Sequence, residues 1–115
     1  MTAEELSKVI VKGMEEKKAF DIILMDLRNI KNSMTDFFVI CSGNSDSQLD
    51  AISDSIEEHV IKAGDKGPWR NEGKNSKNWI LMDYVNVVAH IFLKEKREFY
   101  GLEELWGDAK VTRIS

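Results

Sequence analysis

Two spacings of apolar residues alternate along this chain. From Thr2 to about Lys18 they recur every three or four positions (Ala3, Leu6, Val9 or Ile10, Met14), the period of a helix with one buried face. Thr2 followed by Glu5 is a capping-box pair that starts it. Phe20 to Leu27 is then apolar at nearly every position, Asp21 and Asp26 apart, and Asp36 to Cys41 repeats the pattern. Runs of this length with apolar side chains on both faces predict buried strands. The polar stretch Arg28 to Ser33 connects them. Ser42-Gly43-Asn44-Ser45 is turn chemistry, and Ser45 with Gln48 reads as a second capping box. It opens a long helix whose buried stripe is Leu49, Ile52, Ile56, His59 or Val60, and Ala63, with Gly64 to stop it.

Residues Asp65 to Asn78 form the only long stretch of low hydrophobicity, and Trp69 to Glu72 within it is a candidate edge strand. Trp79 to Leu93 follows as two apolar runs joined by Tyr84-Val85-Asn86, a predicted hairpin. Asn86 is the residue expected to take the left-handed conformation, which a β-branched residue such as Val85 resists. Glu95 to Trp106 predicts short helical turns with Phe99, Leu102, Leu105 and Trp106 facing the domain, and Val111 to Ser115 reads as a tail.

These elements predict one α/β (α+β) domain over residues 1–115: a mixed four- or five-stranded sheet, two long helices and short C-terminal helices. Strands lie about 4.8 Å apart and a helix is about 10 Å wide, so two helices cover about one face of such a sheet. The other face is also apolar, and a large uncovered apolar face marks a protein interface.

Composition narrows the function. A chain of 115 residues has core enough to fold without disulfides or metal. Its net charge of −4 argues against a stand-alone nucleic-acid binder, which needs clustered Lys and Arg. The single Cys41 excludes an intramolecular disulfide framework and suits a reducing compartment. With no apolar signal core and no run of membrane-spanning length, the expectation is a soluble, cytoplasmic protein that does not bind membranes.

Candidate chemistry is sparse. Ser42-Gly43 before Asp46, Asp50 and Asp54 resembles the Gly-Ser and paired carboxylates of nucleotidyltransferases. Those carboxylates must leave one strand as Asp-x-Asp to share a metal, whereas these sit four apart on a helix, and the loop has no Lys for phosphate. Helix solvation explains them better. Cys41 with His90 or His59 has no motif that marks a nucleophile, and two His and one Cys without close spacing make no zinc site. Neither catalytic residues nor cofactor or metal sites are expected. Trp69, Trp79 and Trp106 are more informative, because Trp is enriched at binding hot spots. Trp79, which opens a two-sided strand beside a polar loop, is the expected interface anchor.

Thr35-Asp36-Phe37-Phe38-Val39-Ile40-Cys41-Ser42-Gly43, the block Trp79 to Tyr84 with Val87 to Phe92, and Arg97 to Trp106 together resemble, in order and at family spacing, the ribosomal silencing factor family, also called RsfS or Iojap. The resemblance implies a nucleotidyltransferase-like fold lacking the catalytic site. It implies a translational repressor that binds large-subunit ribosomal protein L-fourteen and sterically blocks subunit association under nutrient limitation. By analogy, partner binding is carried to Trp79, Leu81, Asp83 and Tyr84, with His90 and Lys77 in support, and a homodimer is expected. Val85 stands where the family commonly has Gly, and the loop Lys74 to Asn78 is more polar than usual. The alternative is a nucleotide-binding or residual nucleotidyltransferase protein.

Overall fold

A computed structural model describes the chain apart from residues 76–77, 102–106, 108 and 115; for residues 98–100 it describes the backbone alone. Both long helices form. Helix α1 spans Ala3–Glu16 with its capping box complete: the Glu5 N–H donates to Thr2 Oγ1 (3.1 Å) and the Thr2 N–H to Glu5 Oε1 (2.9 Å). Helix α2 spans Asp46–Lys62, and Ser45 Oγ accepts from the Gln48 N–H (3.2 Å). The Gln48 side chain does not close the expected second box. Its Oε1 accepts from the Asn44 N–H (2.7 Å), and its Nε2 donates to the carbonyls of Lys17 and Lys18 (3.1 and 3.2 Å). Carbonyls at a helix C-terminus lack intrahelical donors, so Gln48 fastens the end of α1 to the start of α2. Val60 rather than His59 fills the buried stripe. Ala63, expected in that stripe, is exposed because the helix ends there, and Gly64 follows at φ +92°.

The strands are β1 (Phe20–Asp26), β2 (Phe37–Gly43), β3 (Arg70–Glu72), β4 (Trp79–Asp83), β5 (Val87–Leu93) and β6 (Lys110–Arg113). They make one sheet in the order β3-β4-β5-β2-β1-β6, with β2 and β5 parallel and the other neighbours antiparallel. The mixed α+β sheet is the expected class, but it has six strands rather than four or five. The additional strand comes from the segment read as a tail. Lys110–Arg113 pairs with β1 from Asp26↔Lys110 to Ile23↔Arg113, supplying partners to an edge that would otherwise be bare. All four of its residues are exposed, so no apolar period announces it. Strand β2 also runs through Ser42 and Gly43, read as a turn, because parallel β5 continues beside it to Phe92 and Leu93.

Helices α1 and α2 lie together on one face of the sheet. Val39, Cys41, Ile80, Met82, Ala89 and Ile91 from the strands meet Ile10, Met14, Leu49, Ile52, Ile56 and Val60 from the helices. The helices do not divide between the faces, as the covering argument requires. On the opposite face Ile23, Met25, Leu27, Ile40 and Phe92 form a second cluster, with Phe38, Trp79 and Ala109 packed on it. Helix α3 (Lys94–Tyr100) starts where β5 ends. Its Arg97 Nη1 donates to Ser42 Oγ (2.8 Å) and to the Asp21 carbonyl (2.5 Å), which ties α3 to that end of the sheet. The expected packing of the side chains of Phe99, Leu102, Leu105 and Trp106 lies outside the described residues.

Candidate functional site

Alternation along β4 sends Ile80 and Met82 toward α1 and α2 and Trp79, Leu81 and Asp83 to the opposite face. Pairing with β5 sets Trp79 opposite Phe92, Leu81 opposite His90 and Asp83 opposite Val88, so these six share one surface. In β2, Phe38 stands beside Val88. The result is an open, mainly apolar groove of about 590 Å³ lined by Met34, Thr35, Phe38, Trp69, Arg70, Leu81, Asp83, Val85, Val88 and His90. Three of the expected partner-binding residues (Leu81, Asp83, His90) line it, and Trp79 forms its buttress.

Trp79 is only partly exposed. Its Nε1 donates to His90 Nδ1 (3.0 Å), and its ring stacks on Phe92 with centroids 5.1 Å apart. His90 is 3% exposed. Burial pushes its pKa down to about 3, so at neutral pH the imidazole is uncharged. Because Nδ1 accepts from Trp79, the proton sits on Nε2, which has no hydrogen-bond partner among the described residues. Phe38 stands edge-on to the imidazole at 4.6 Å. His90 thus fixes the Trp79 ring and supports the groove floor.

The β4–β5 turn corrects the sequence reading. Val85, not Asn86, has the positive φ, at +76°. The Asn86 N–H donates to the Tyr84 carbonyl (3.0 Å) across Val85, the bond and φ of a γ-turn of the rare, strained kind. Asn86 cannot take the left-handed place because its carbonyl accepts from the N–H groups of Asp36 and Phe37 (2.9 and 3.2 Å), which fixes it to the start of β2. Asp83 holds the turn: its Oδ1 accepts from the Val85 N–H (2.8 Å), while Oδ2 lies 3.6 Å from Arg70 Nη2. The carboxylate on the groove rim is therefore engaged within the chain.

Tyr84 is separated from the other expected residues. It packs against the helix-side core and lines a smaller depression of about 270 Å³ with Leu6, Asp65, Lys66, Gly67, Trp69 and Val85. Burial, then the carboxylates of Glu57 and Asp65, push its hydroxyl pKa up, and the hydroxyl finds no partner among the described residues. Lys77 lies outside the described residues. Sequence reasoning weighed Trp69 and preferred Trp79, and it passed over Met34 and Val85 as surface residues; Met34, Trp69 and Val85 are 96%, 72% and 55% exposed. The signal for them was a large apolar side chain standing alone in a polar connection or turn.

The enzymatic candidates do not converge. Cys41 faces the helices and His90 the opposite side of the sheet, and burial pushes the Cys41 thiol pKa up, away from the reactive thiolate. His59 Nδ1 lies 2.9 Å from the Ser55 carbonyl, one turn back on α2. Asp46 and Asp54 are exposed on α2, with Asp54 Oδ1 3.7 Å from Lys74 Nζ. Among the described residues no three His, Cys, Asp or Glu side chains gather as a metal site, and no helix is long and apolar enough to cross a membrane.

Comparison with known proteins gives the surface its context. Residues 1–115 match the family model described as ribosomal silencing factor during starvation. The chain is 37% identical over 114 residues to the ribosomal silencing factor RsfS of Bacillus subtilis, covering 99% of this chain and 95% of that one. It is 31% identical over 100 residues to the mouse protein named mitochondrial assembly of ribosomal large subunit protein 1, covering 85% of this chain and 43% of that one. A crystal structure of a Chromobacterium violaceum protein, 30% identical, superposes with a TM-score of 0.87 and covers 100% of this chain and 94% of its own. The family model, the sequence identity and the fold agree: this chain belongs to the ribosomal silencing factor family.

Proposed function

We propose that this chain is a non-enzymatic, cytoplasmic silencing factor whose sheet face opposite α1 and α2 binds large-subunit ribosomal protein L-fourteen. Bound there, it obstructs the surface that meets the small subunit and represses translation under nutrient limitation. The observation that carries this reading is the groove at Leu81. It is an apolar depression on a rigid sheet, left open by two helices that both pack on the other side. Leu81, Val88 and Phe38 supply the apolar centre, and the Asp83–Arg70 pair supplies part of a polar rim. Trp79, His90 and Phe92 keep that centre flat and preorganised, which lowers the ordering cost of binding. Tyr84, across Val85 from the groove, belongs to the periphery of the contact. Blockade needs no chemistry: a body of 36 × 34 × 24 Å docked on a subunit-facing protein is thick enough to keep the subunits apart. A second copy of the chain is the other occupant this face suits, so the homodimer and the ribosome complex use one surface.

The test is co-sedimentation of the purified protein with large subunits, together with the fraction of subunits that join. Leu81→Ala removes exposed groove area without disturbing the buried side, and it should weaken binding by about 2 kcal/mol with an unchanged melting temperature. Undiminished binding by that variant would move the site elsewhere. Magnesium-dependent turnover of a nucleoside triphosphate by the wild-type chain would reject the non-enzymatic reading.

A further inference from the structure

Trp69 is the residue that the groove leaves over. Its backbone N–H donates to the Asp83 carbonyl (2.7 Å), so the residue is fastened to β4, yet its side chain stands in solvent at 72% exposure. The Arg70 guanidinium lies 5.6 Å from the ring centroid and limits its swing. Val85 stands beside it in the strained turn, 55% exposed. Strain of this kind persists where surrounding structure imposes it, and it gathers at binding sites. Here the Asp83 carboxylate imposes it and presents an apolar side chain outward. Trp69 and Val85 line both the groove at Leu81 and the depression at Tyr84, so together they form the ridge between the two.

We propose that the Trp69–Val85 ridge is the anchor of the docking surface, straddled by a basic protein surface that enters the groove on one side and the Tyr84 depression on the other. This rests on the preceding reading of the groove and adds its centre and its second half. Charge selects the occupant. Asp83 and Arg70 line the groove and Asp65 and Lys66 the depression, so these four balance; Glu57, whose carboxylate acts on Tyr84, and Glu72, 3.5 Å from Arg70, tip the neighbourhood acidic on a chain of net charge −4. That rim repels ribosomal RNA phosphate and favours a protein rich in Lys and Arg, as proteins that hold RNA are. Trp79, whose indole N–H is spent on His90 and whose ring is spent on Phe92, supports the surface without anchoring it.

Three variants are compared for binding to purified large subunits. Trp69→Ala, at an exposed position, should keep the wild-type melting temperature and bind about 30-fold more weakly, the loss typical of a hot spot. Val85→Gly relieves the turn and should bind more weakly without a lower melting temperature. Leu81→Ala reports on the groove itself. Trp69→Ala binding within twofold of wild type while Leu81→Ala is weakened overturns the anchor and leaves the groove reading standing. Wild-type-like binding by both, or no binding by the wild-type chain, overturns both. A benzophenone amino acid placed at position 69 should cross-link to a ribosomal protein; cross-linking to ribosomal RNA overturns the choice of occupant.

Discussion

At the scale of the residue, His90 shows how burial turns a titratable side chain into a fixed part. Its pKa, pushed down to about 3 by burial, lies below the value near 6.5 expected once the chain unfolds. Between those values the unfolded chain binds a proton that the folded chain does not. The stability tied to this group is therefore complete above pH 6.5 and is lost as pH falls toward 3. At pH 5.5 the loss amounts to about 1.4 kcal/mol. His90→Gln has no such proton and keeps an acceptor for Trp79 Nε1. Urea denaturation at pH 7.5 and 5.5 should show the variant losing about that much less than wild type over the interval. Equal losses would mean another group titrates there. Val85 makes the complementary point. Sequence rules assign the left-handed position to Asn86, and they fail because hydrogen bonds from the N–H groups of Asp36 and Phe37 hold the Asn86 carbonyl elsewhere.

At the scale of the element, the helices were legible and their junction was not. Thr2 with Glu5 and the spacing of Leu6, Ile10 and Met14 specify α1 whatever it packs against. Nothing in that pattern says that Gly13 meets Ile56. A Cβ on Gly13 would stand 2.8 Å from Ile56 Cα, and the Gly13 carbonyl accepts from Ser55 Oγ (2.8 Å). Gly13→Ala should gain about 1 kcal/mol of helix propensity. The contact is with backbone, so the helices must move apart, and overpacking of this kind costs about 1–3 kcal/mol. The cost exceeds the gain, and thermal unfolding should show a net loss of about 1 kcal/mol. A melting temperature above wild type would mean that the junction yields freely. Strand β6 is the converse case: the edge of β1 recruits Lys110–Arg113, so its existence depends on a neighbour more than on its own composition.

At the scale of the whole molecule, the proposed function rests on an asymmetry between the two sheet faces. Helices α1 and α2 take one side, α3 is tied by Arg97 to one end of the sheet, and the Leu81 groove stays open among the described residues. If self-association and ribosome binding share that groove, Leu81→Glu should abolish both. Sedimentation equilibrium should then find a monomer at every concentration, and a dimer that survives the change would place the self-contact elsewhere. The sequence by itself determined the helices, the hairpin, the family and the apolar excess that one layer of helices cannot cover, because periodicity, caps and motif spacing are local properties of the chain. The family resemblance offered Trp79, Leu81, Asp83, Tyr84, His90 and Lys77 for partner binding, and strand pairing brings Leu81, Asp83 and His90 of these to one groove. Only the tertiary structure decided that Tyr84 faces the helix side, that Asp83 spends its carboxylate on Val85, and that Trp69 stands out on a ridge. Those outcomes depend on which distant backbone groups and side chains arrive alongside, and spacing along the chain does not encode them.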